Sequence, residues 1–343
     1  MDNNKQRHIV FVVNPTSGTQ DKDSVLQAVN EGIDRQKYTF DIRETEYAGH
    51  ATEIAAQCAA DGVFAVVAVG GDGTVNETAR ALVHTDTALG IIPCGSGNGL
   101  ARHLQIGMNT RKAIDTINEG WIENIDYGRI NDHKFFVTCG VGFDAFISLK
   151  FAQAGKRGPL TYIEQALKQS LNYKPETYEL TVDGNTEHYN AFLIACGNAA
   201  QYGNNAYITP KATLTDGLLD VTVLQPFTLL DVPELAVQLF TKTIDQNSHI
   251  KTLRCKSLHI VRQSEGVVHY DGEPVMTGNN ITINIVPAGL RVIVPNETKD
   301  PNMLERAQEV FNGLRQVNEE FFDGIRNSDI IGMGKKQIKR NKQ

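Results

Sequence analysis

Three short apolar runs near the start of the chain each end in a glycine-rich turn, and this repeated punctuation constrains the fold more than any other feature. His8 to Val13 leads into Asn14-Pro-Thr-Ser-Gly18, Val63 to Val69 into Gly70-Gly-Asp-Gly-Thr74, and Ala88 to Ile92 into Pro93-Cys-Gly-Ser-Gly-Asn98. A fourth run covers Tyr38 to Arg43. Between the runs, Val25, Leu26, Val29 and Ile33, then Ile54, Ala55 and Cys58, then Val75, Ala79, Leu82 and Val83 recur at helical spacing. Strands alternating with helices predict an α/β domain with a parallel sheet. All three turns then fall on the carboxyl edge of that sheet, where open α/β sheets bind ligands.

Glycines let backbone N–H groups approach an anion closely, and helices that follow them aim their positive N-termini at the same place. Thr16, Ser17, Thr74 and Ser96 add hydroxyl donors. The expected occupant is a polyphosphate. A single turn would carry little weight, since tight turns need glycine for their own geometry. No G-x-x-x-x-G-K-[ST] occurs, and the first turn has one glycine where a dinucleotide fingerprint needs three. Gly140-Val-Gly142-Phe-Asp-Ala145 imitates that fingerprint but lacks a following βαβ unit, so it reads as a packing turn.

Past Asp126 the rhythm changes. Tyr178, Leu180, Val182; Leu219, Val221, Val223; Leu258, Ile260; Ile281, Ile283, Ile285; and Val292, Val294 alternate as strands do, predicting a mainly antiparallel β-sandwich or barrel. Helical stretches interrupt it at Phe146 to Leu171, which contains Gly155-Lys-Arg-Gly-Pro159, and at Leu229 to Thr243. The spacing predicts an amphipathic helix over residues 303 to 325 with Leu304, Phe311, Leu314 and Phe321 on its stripe, expected to dock on the body or to pair across a homodimer. The expected organisation is an α/β domain over 1–127, a β-sandwich over 128–295, the helix over 296–328 and a basic disordered tail over 329–343.

Of the 343 residues 41% are hydrophobic and 21% charged, which excludes disordered and collagen-like chains. The net charge of −7 becomes −12 once the five tail cations, Lys335, Lys336, Lys339, Arg340 and Lys342, are set aside. A nucleic-acid-binding body is therefore not expected. The start carries no signal-peptide pattern, and no apolar run reaches the ~20 residues of a membrane span. Five scattered cysteines without C-x-x-C predict reduced thiols in a cytoplasmic protein, neither disulfides nor a zinc site.

Two acidic motifs lie in the second half. Asp271-Gly-Glu273 sets two carboxylates on one face if extended, although Asp-Gly also makes hairpin turns. Asp216-Gly-Leu-Leu-Asp220 is either a turn or a hard-cation site. These motifs, together with Asn14-Pro-Thr-Ser-Gly18, Thr45 before Gly49-His-Ala51, Gly70-Gly-Asp-Gly-Thr-Val-Asn-Glu77 and Gly95-Ser-Gly-Asn98, resemble the lipid kinase family that includes soluble bacterial diacylglycerol kinases and sphingosine kinases. The match runs in order from residue 8 to about 295, whereas G-G-D-G alone is shared with NAD kinases and related phosphofructokinases.

The resemblance implies a nucleotide-binding α/β domain, a β-sandwich, a site between them, and ATP-dependent phosphorylation of a lipid hydroxyl. Asn14, Pro15, Thr16, Ser17, Gly18, Thr45, Gly71, Asp72, Gly73, Thr74, Asn76, Glu77 and Ser96 would contact ATP, and Asp72 would help organise Mg²⁺ and phosphate, its plainer role being an Asx-turn. One of Asp271 and Glu273 would take the acceptor proton, while Thr213 and Leu218 backbone oxygens would join Asp216 in a structural Mg²⁺ site. Many bacterial members carry an acidic residue after the third-loop asparagine; this chain has Gly99, closer to the sphingosine kinase form. The alternatives are an NAD kinase-like enzyme and a nucleotide sensor without transfer. An insoluble acceptor implies a peripheral visit to the bilayer, with Lys156 and Arg157 or the tail lysines as the membrane contact.

Overall fold

A computed structural model describes residues 6–18, 21–154, 173–228 and 230–296. The first half is built as β1 (Arg7–Val13), α1 (Lys22–Gly32), β2 (Tyr38–Glu44), α2 (His50–Ala60), β3 (Ala65–Gly70), α3 (Asp72–Leu82) and β4 (Ala88–Pro93). The strands pair in parallel in the order β2-β1-β3-β4. β3 and β4 are buried at every position, as expected for strands covered on both faces. β2 is the edge, and only Tyr38 of it is buried. A five-residue α4 (Gly99–His103) and then α5 (Thr110–Glu119) follow.

The second half runs β5 (Trp121–Ile130), β6 (His133–Phe135), β7 (Thr138–Gly142), α6 (Phe143–Ala154), β8 (Glu176–Val182), β9 (Asn185–Ala191), β10 (Leu193–Gly197), β11 (Leu219–Leu224), α7 (Val232–Phe240), β12 (Ile250–Cys255), β13 (Ser257–Val261), β14 (Gly266–Tyr270), β15 (Glu273–Thr277) and β16 (Asn280–Val294). A six-stranded antiparallel sheet has the order β12-β11-β10-β7-β14-β15. Its Cys139, Val141, Ile194, Cys196, Val221 and Val268 pack on Tyr178, Leu180, Leu258, Ile260, Ile281 and Ile283, which gives the expected sandwich core. All five cysteines are buried free thiols.

The two halves share a sheet. β5 pairs with β16 from Ile283 to Val294, but the register slips between Val286 and Leu290. Before the slip, β16 pairs with β13 in the sandwich; after it, Val292 lies beside Leu89 of β4, in parallel. The two runs around Ile283 and Val292, which alternation suggests are separate strands, are therefore one bent strand. Asp126 fixes the bend: its carboxylate accepts the Ala288 N–H at 2.7 Å and the Gly217 N–H at 2.7 Å. β5 crosses the expected boundary at residue 127 without a break.

The helix expected over Phe146 to Leu171 begins at Phe143, and its part beyond residue 154 lies outside the described residues, as do Lys156, Arg157, the helix over 303–325 and the basic tail. The helix expected over 229–243 is Val232–Phe240. Among the described residues no helix is long and apolar enough to cross a membrane.

Candidate active site

The three glycine-rich loops meet at the carboxyl edge of the parallel sheet. Asn14 closes the first loop on itself, its Oδ1 accepting the Thr16 N–H and hydroxyl at 3.0 Å each, and its Nδ2 donates to Thr74 Oγ1 of the second loop at 3.3 Å. Ser17 donates its hydroxyl to the Asn14 carbonyl at 3.0 Å. Gly18 has φ +71°, and a Cβ there would lie 1.8 Å from the Cys94 carbonyl, so the first loop reaches the third only through a glycine. Gly71 and Gly95 touch backbone to backbone, a Cβ on Gly95 falling 2.7 Å from the Gly71 Cα. Thr45 hydrogen-bonds its N–H to the Val13 carbonyl at 2.8 Å, beside Asn14.

Asp72 is the clamp between loops two and three. Its carboxylate accepts the Asn98 N–H at 2.8 Å and the Gly99 N–H at 2.7 Å. Burial raises its pKa, against the pull of those two N–H groups. Asn98 in turn closes loop three, its Oδ1 accepting the Gly95 N–H at 3.1 Å and its Nδ2 donating to the Gly95 carbonyl at 2.7 Å. Thr74 and Asn76 are buried in the first turns of α3, Glu77 and Gly71 are half-buried, and Pro15, Thr16, Gly18, Gly73 and Ser96 face solvent. An exposed rim of small residues over a buried polar floor is open to an anion.

One cation at this place escapes motif reading. The Lys22 Nζ, at the start of α1, is buried beside the Cys94 thiol without an oxygen acceptor among the described residues. Burial pushes the Cys94 thiol up, and the Lys22 ammonium opposes that rise. Nothing in the sequence distinguishes Lys22 from Lys37; only the fold turns it inward.

The second acidic motif forms a hairpin. Tyr270 pairs with Glu273, and Asp271 and Gly272, at φ 49° and 82°, make the two-residue turn of β14–β15, so the Asp-Gly turn and the acidic pair are one structure. The Asp271 side chain folds inward and accepts the N–H groups of Phe136 (2.8 Å), Val137 (2.8 Å) and Thr138 (3.1 Å). Burial pushes it up to about 6, and the three donors hold it from rising further. Glu273 is the accessible member, with 40% of its side chain exposed and a 2.9 Å ion pair to Arg80 of α3. Arg80 also lies 5.1 Å from the Tyr270 ring centroid. Neither Arg80 nor its reach to residue 273 could be read from spacing.

Contacts connect this hairpin to the loops. Val137, whose N–H is held by Asp271, lies 3.3 Å from where a Gly99 Cβ would stand, and the Gly99 N–H is held by Asp72. The same virtual Cβ lies 3.0 Å from the Tyr202 carbonyl. An acidic side chain at position 99 would force these neighbours apart, which is the physical reason for glycine there.

At the expected cation site of Thr213, Asp216 and Leu218 the Asp216 carboxylate is engaged by protein groups. One Asp216 oxygen accepts the Leu218 N–H at 3.0 Å, and the other is paired with the Arg254 guanidinium, which also reaches Asp220 at 3.2 Å. Arg254 bridges both carboxylates. A hard dication needs several oxygens free to turn toward it. Mg²⁺ at this site would take the Asp216 carboxylate from Arg254.

Residues 8–130 match the family model described as the diacylglycerol kinase catalytic domain, and residues 137–294 match the YegS C-terminal NAD kinase beta sandwich-like domain. A protein named diacylglycerol kinase from Mycobacterium tuberculosis is 30% identical over 298 residues, covering 84% of this chain and 95% of that one. A probable lipid kinase YegS-like protein from Pectobacterium atrosepticum is 32% identical over 285 residues, covering 80% and 92%. A crystal structure of a diacylglycerol kinase from Bacillus anthracis superposes with a TM-score of 0.66 at 22% identity, covering 85% of this chain and 98% of that one, which bears on the fold.

Proposed function

Because the chain belongs to the lipid kinase family defined by the diacylglycerol kinase catalytic domain, we propose that it transfers the γ-phosphate of ATP to a lipid hydroxyl of the diacylglycerol or sphingoid type. The observation that carries this reading is the chain of contacts from Asp72 through Gly99 and Val137 to Asp271, which joins the phosphate-binding loops to the acidic hairpin.

Phosphoryl transfer asks a protein for positioning and charge neutralisation more than for covalent chemistry. The backbone N–H groups of the three loops and the hydroxyls of Thr16, Thr74 and Ser96 cradle the phosphates, with Mg²⁺ entering as part of the nucleotide substrate. An incoming phosphate gives the Lys22 ammonium the anion its burial lacks. Glu273 receives the acceptor's proton as the hydroxyl oxygen bonds to phosphorus, the bond to the β–γ bridging oxygen breaks and ADP departs. Asp271, committed to three backbone donors, holds the hairpin that presents Glu273. The acceptor is insoluble, so a cytoplasmic enzyme must visit the membrane surface to meet it; pairing of its C-terminal helices in a homodimer belongs to the same proposal.

The test offers γ-labelled ATP with vesicles containing diacylglycerol, sphingosine or phosphatidylglycerol, and separately with NAD. Label in the diacylglycerol or sphingosine fraction is expected, with a loss of about 10²- to 10⁴-fold in Glu273→Gln. Label in NAD alone, or nucleotide bound without transfer to any lipid, overturns the reading.

A further inference from the structure

The motif Gly140-Val-Gly142-Phe-Asp-Ala145 has no part in the chemistry above, yet it builds a polar cluster on the face of the six-stranded sheet opposite the sandwich core, beneath α6. β7 carries Gly140 in the middle of the six-stranded sheet, and α6 begins at once after it. Asp144, in the first turn of α6, is 4% exposed, and its Oδ2 takes two partners: the Tyr202 hydroxyl at 2.8 Å and His269 Nε2 at 2.8 Å. His269, on β14, is 1% exposed, and among the described residues neither ring nitrogen makes a hydrogen bond, Nε2 meeting the Asp144 oxygen by proximity alone. A Cβ on Gly140 would stand 2.7 Å from Asp144 Oδ2 and 3.0 Å from His269 Nε2. The glycine therefore makes room for the Asp144–His269 contact, which accounts for a fingerprint-like motif with no dinucleotide to bind.

Each partner of Asp144 belongs to a different part of the site. Tyr202 sits in a loop that lies on the third glycine-rich loop: the Asn204 N–H donates to the Gly97 carbonyl at 3.3 Å, and a Cβ on Gly203 would touch the Gly97 backbone at 3.1 Å. The Ala200 N–H donates to His103 Nδ1 at 3.0 Å, and burial, with Lys242 adding to it, lowers the His103 pKa to about 4, so this acceptor stays available. His269 stands two residues before Asp271 on the strand that leads to the acidic turn. Burying a carboxylate and an imidazole costs more than packing apolar groups of the same size. A fold that keeps them gains defined geometry in return.

We propose that Asp144 is a positioning residue whose single buried oxygen, shared by Tyr202 and His269, holds the third glycine-rich loop in register with the acidic β14–β15 hairpin. This rests on the lipid kinase reading for its consequence, since in-line transfer needs the phosphate and the acceptor base at a fixed separation. The two arms carry separable effects. The Tyr202 arm governs nucleotide affinity through loop three, and the His269 arm governs turnover through the hairpin.

Tyr202→Phe removes one hydroxyl and no packing. It is expected to raise the dissociation constant of a non-hydrolysable ATP analogue and the KM for ATP by about tenfold, the scale of one hydrogen bond to a charged group. Its lipid KM stays within about twofold on the same basis, and amide exchange at residues 95–99 of the unliganded protein accelerates. His269→Gln should lower kcat with nucleotide affinity unchanged. In an Asp144→Asn background, Tyr202→Phe should add little, because the shared partner is already weakened. Unchanged exchange at residues 95–99 together with unchanged nucleotide affinity in Tyr202→Phe overturns the proposal, and that variant decides the matter even if Asp144 variants fail to fold. If the wild type transfers phosphate to no lipid, the functional reading fails, while loop exchange in Tyr202→Phe still decides the coupling.

Discussion

The Asp271 carboxylate accepts three backbone N–H groups, an arrangement that by itself lowers a pKa, yet burial of the inward-facing carboxylate outweighs the donors and pushes it up to about 6. In the unfolded chain the same group titrates near 3.9. The folded protein therefore holds a proton that the unfolded chain has lost between about pH 4 and pH 6, and stability falls as pH rises through that window. The contribution is fully present below the unfolded value and gone above the folded one. Asn at this position cannot titrate, so the stability advantage of wild type over Asp271→Asn should shrink between pH 4 and pH 6.5 in urea titrations. A gap independent of pH would remove the assignment. Asp-Gly-Glu by itself marks this place in the sequence, but which acid faces inward depends on the sign of two φ angles and on the donors of residues 136 to 138, which lie far away in the chain. Lys22, Arg80 and Arg254 were illegible for the same reason: each acts across a tertiary contact that no spacing encodes.

Elements that alternate regularly with glycine punctuation were readable, as β1, β3 and β4 show, because burial on both faces demands an unbroken apolar run. β9, whose seven residues include six polar ones before Ala191, gives no such signal; it is an edge strand whose pairing with β8 supplies what its side chains do not. The β14–β15 hairpin is held at both ends by side chains outside it or at its tip. Asp271 pins the turn, and Arg262, 6% exposed, donates to the carbonyls of Gly266 (2.7 Å), Val267 (3.1 Å), Thr277 (2.9 Å) and Gly278 (3.0 Å) at the open end. A planar guanidinium can satisfy that spread of acceptors and an ammonium cannot. Arg262→Lys is expected to destabilise the protein by about 2 kcal/mol, the scale of buried carbonyls left unsatisfied. Amide exchange across residues 266–277 should rise and kcat should fall, with ATP affinity unchanged. Wild-type exchange in that strand pair would show that Asp271 suffices to hold the hairpin.

At the scale of the whole molecule, the two halves suggested by the change of rhythm near Asp126 are not separable bodies. β16 inserts residues 290–294 between β4 and the outer part of β5, so the parallel sheet is completed by the far end of the described chain. The apolar positions of that segment, Leu290, Val292, Ile293 and Val294, are buried in the same core as Val66 and Ile91. A fragment ending at residue 127 would expose β4 as a flat apolar edge, the kind of edge that recruits other chains. Residues 128–296 alone would strand the β16 segment without its partners. Alternation could announce a strand around Val292 but not its neighbour, since strand order is fixed by contacts distant in sequence. The expected outcome is one calorimetric unfolding transition for the full chain, with the van't Hoff and calorimetric enthalpies equal. The fragment 1–127 should aggregate or lack a cooperative transition, and adding residues 128–343 in trans should restore it at least in part. Two resolved transitions in the intact protein, or a monomeric and cooperatively folding 1–127 fragment, would mean that β16 only decorates a sheet able to stand without it.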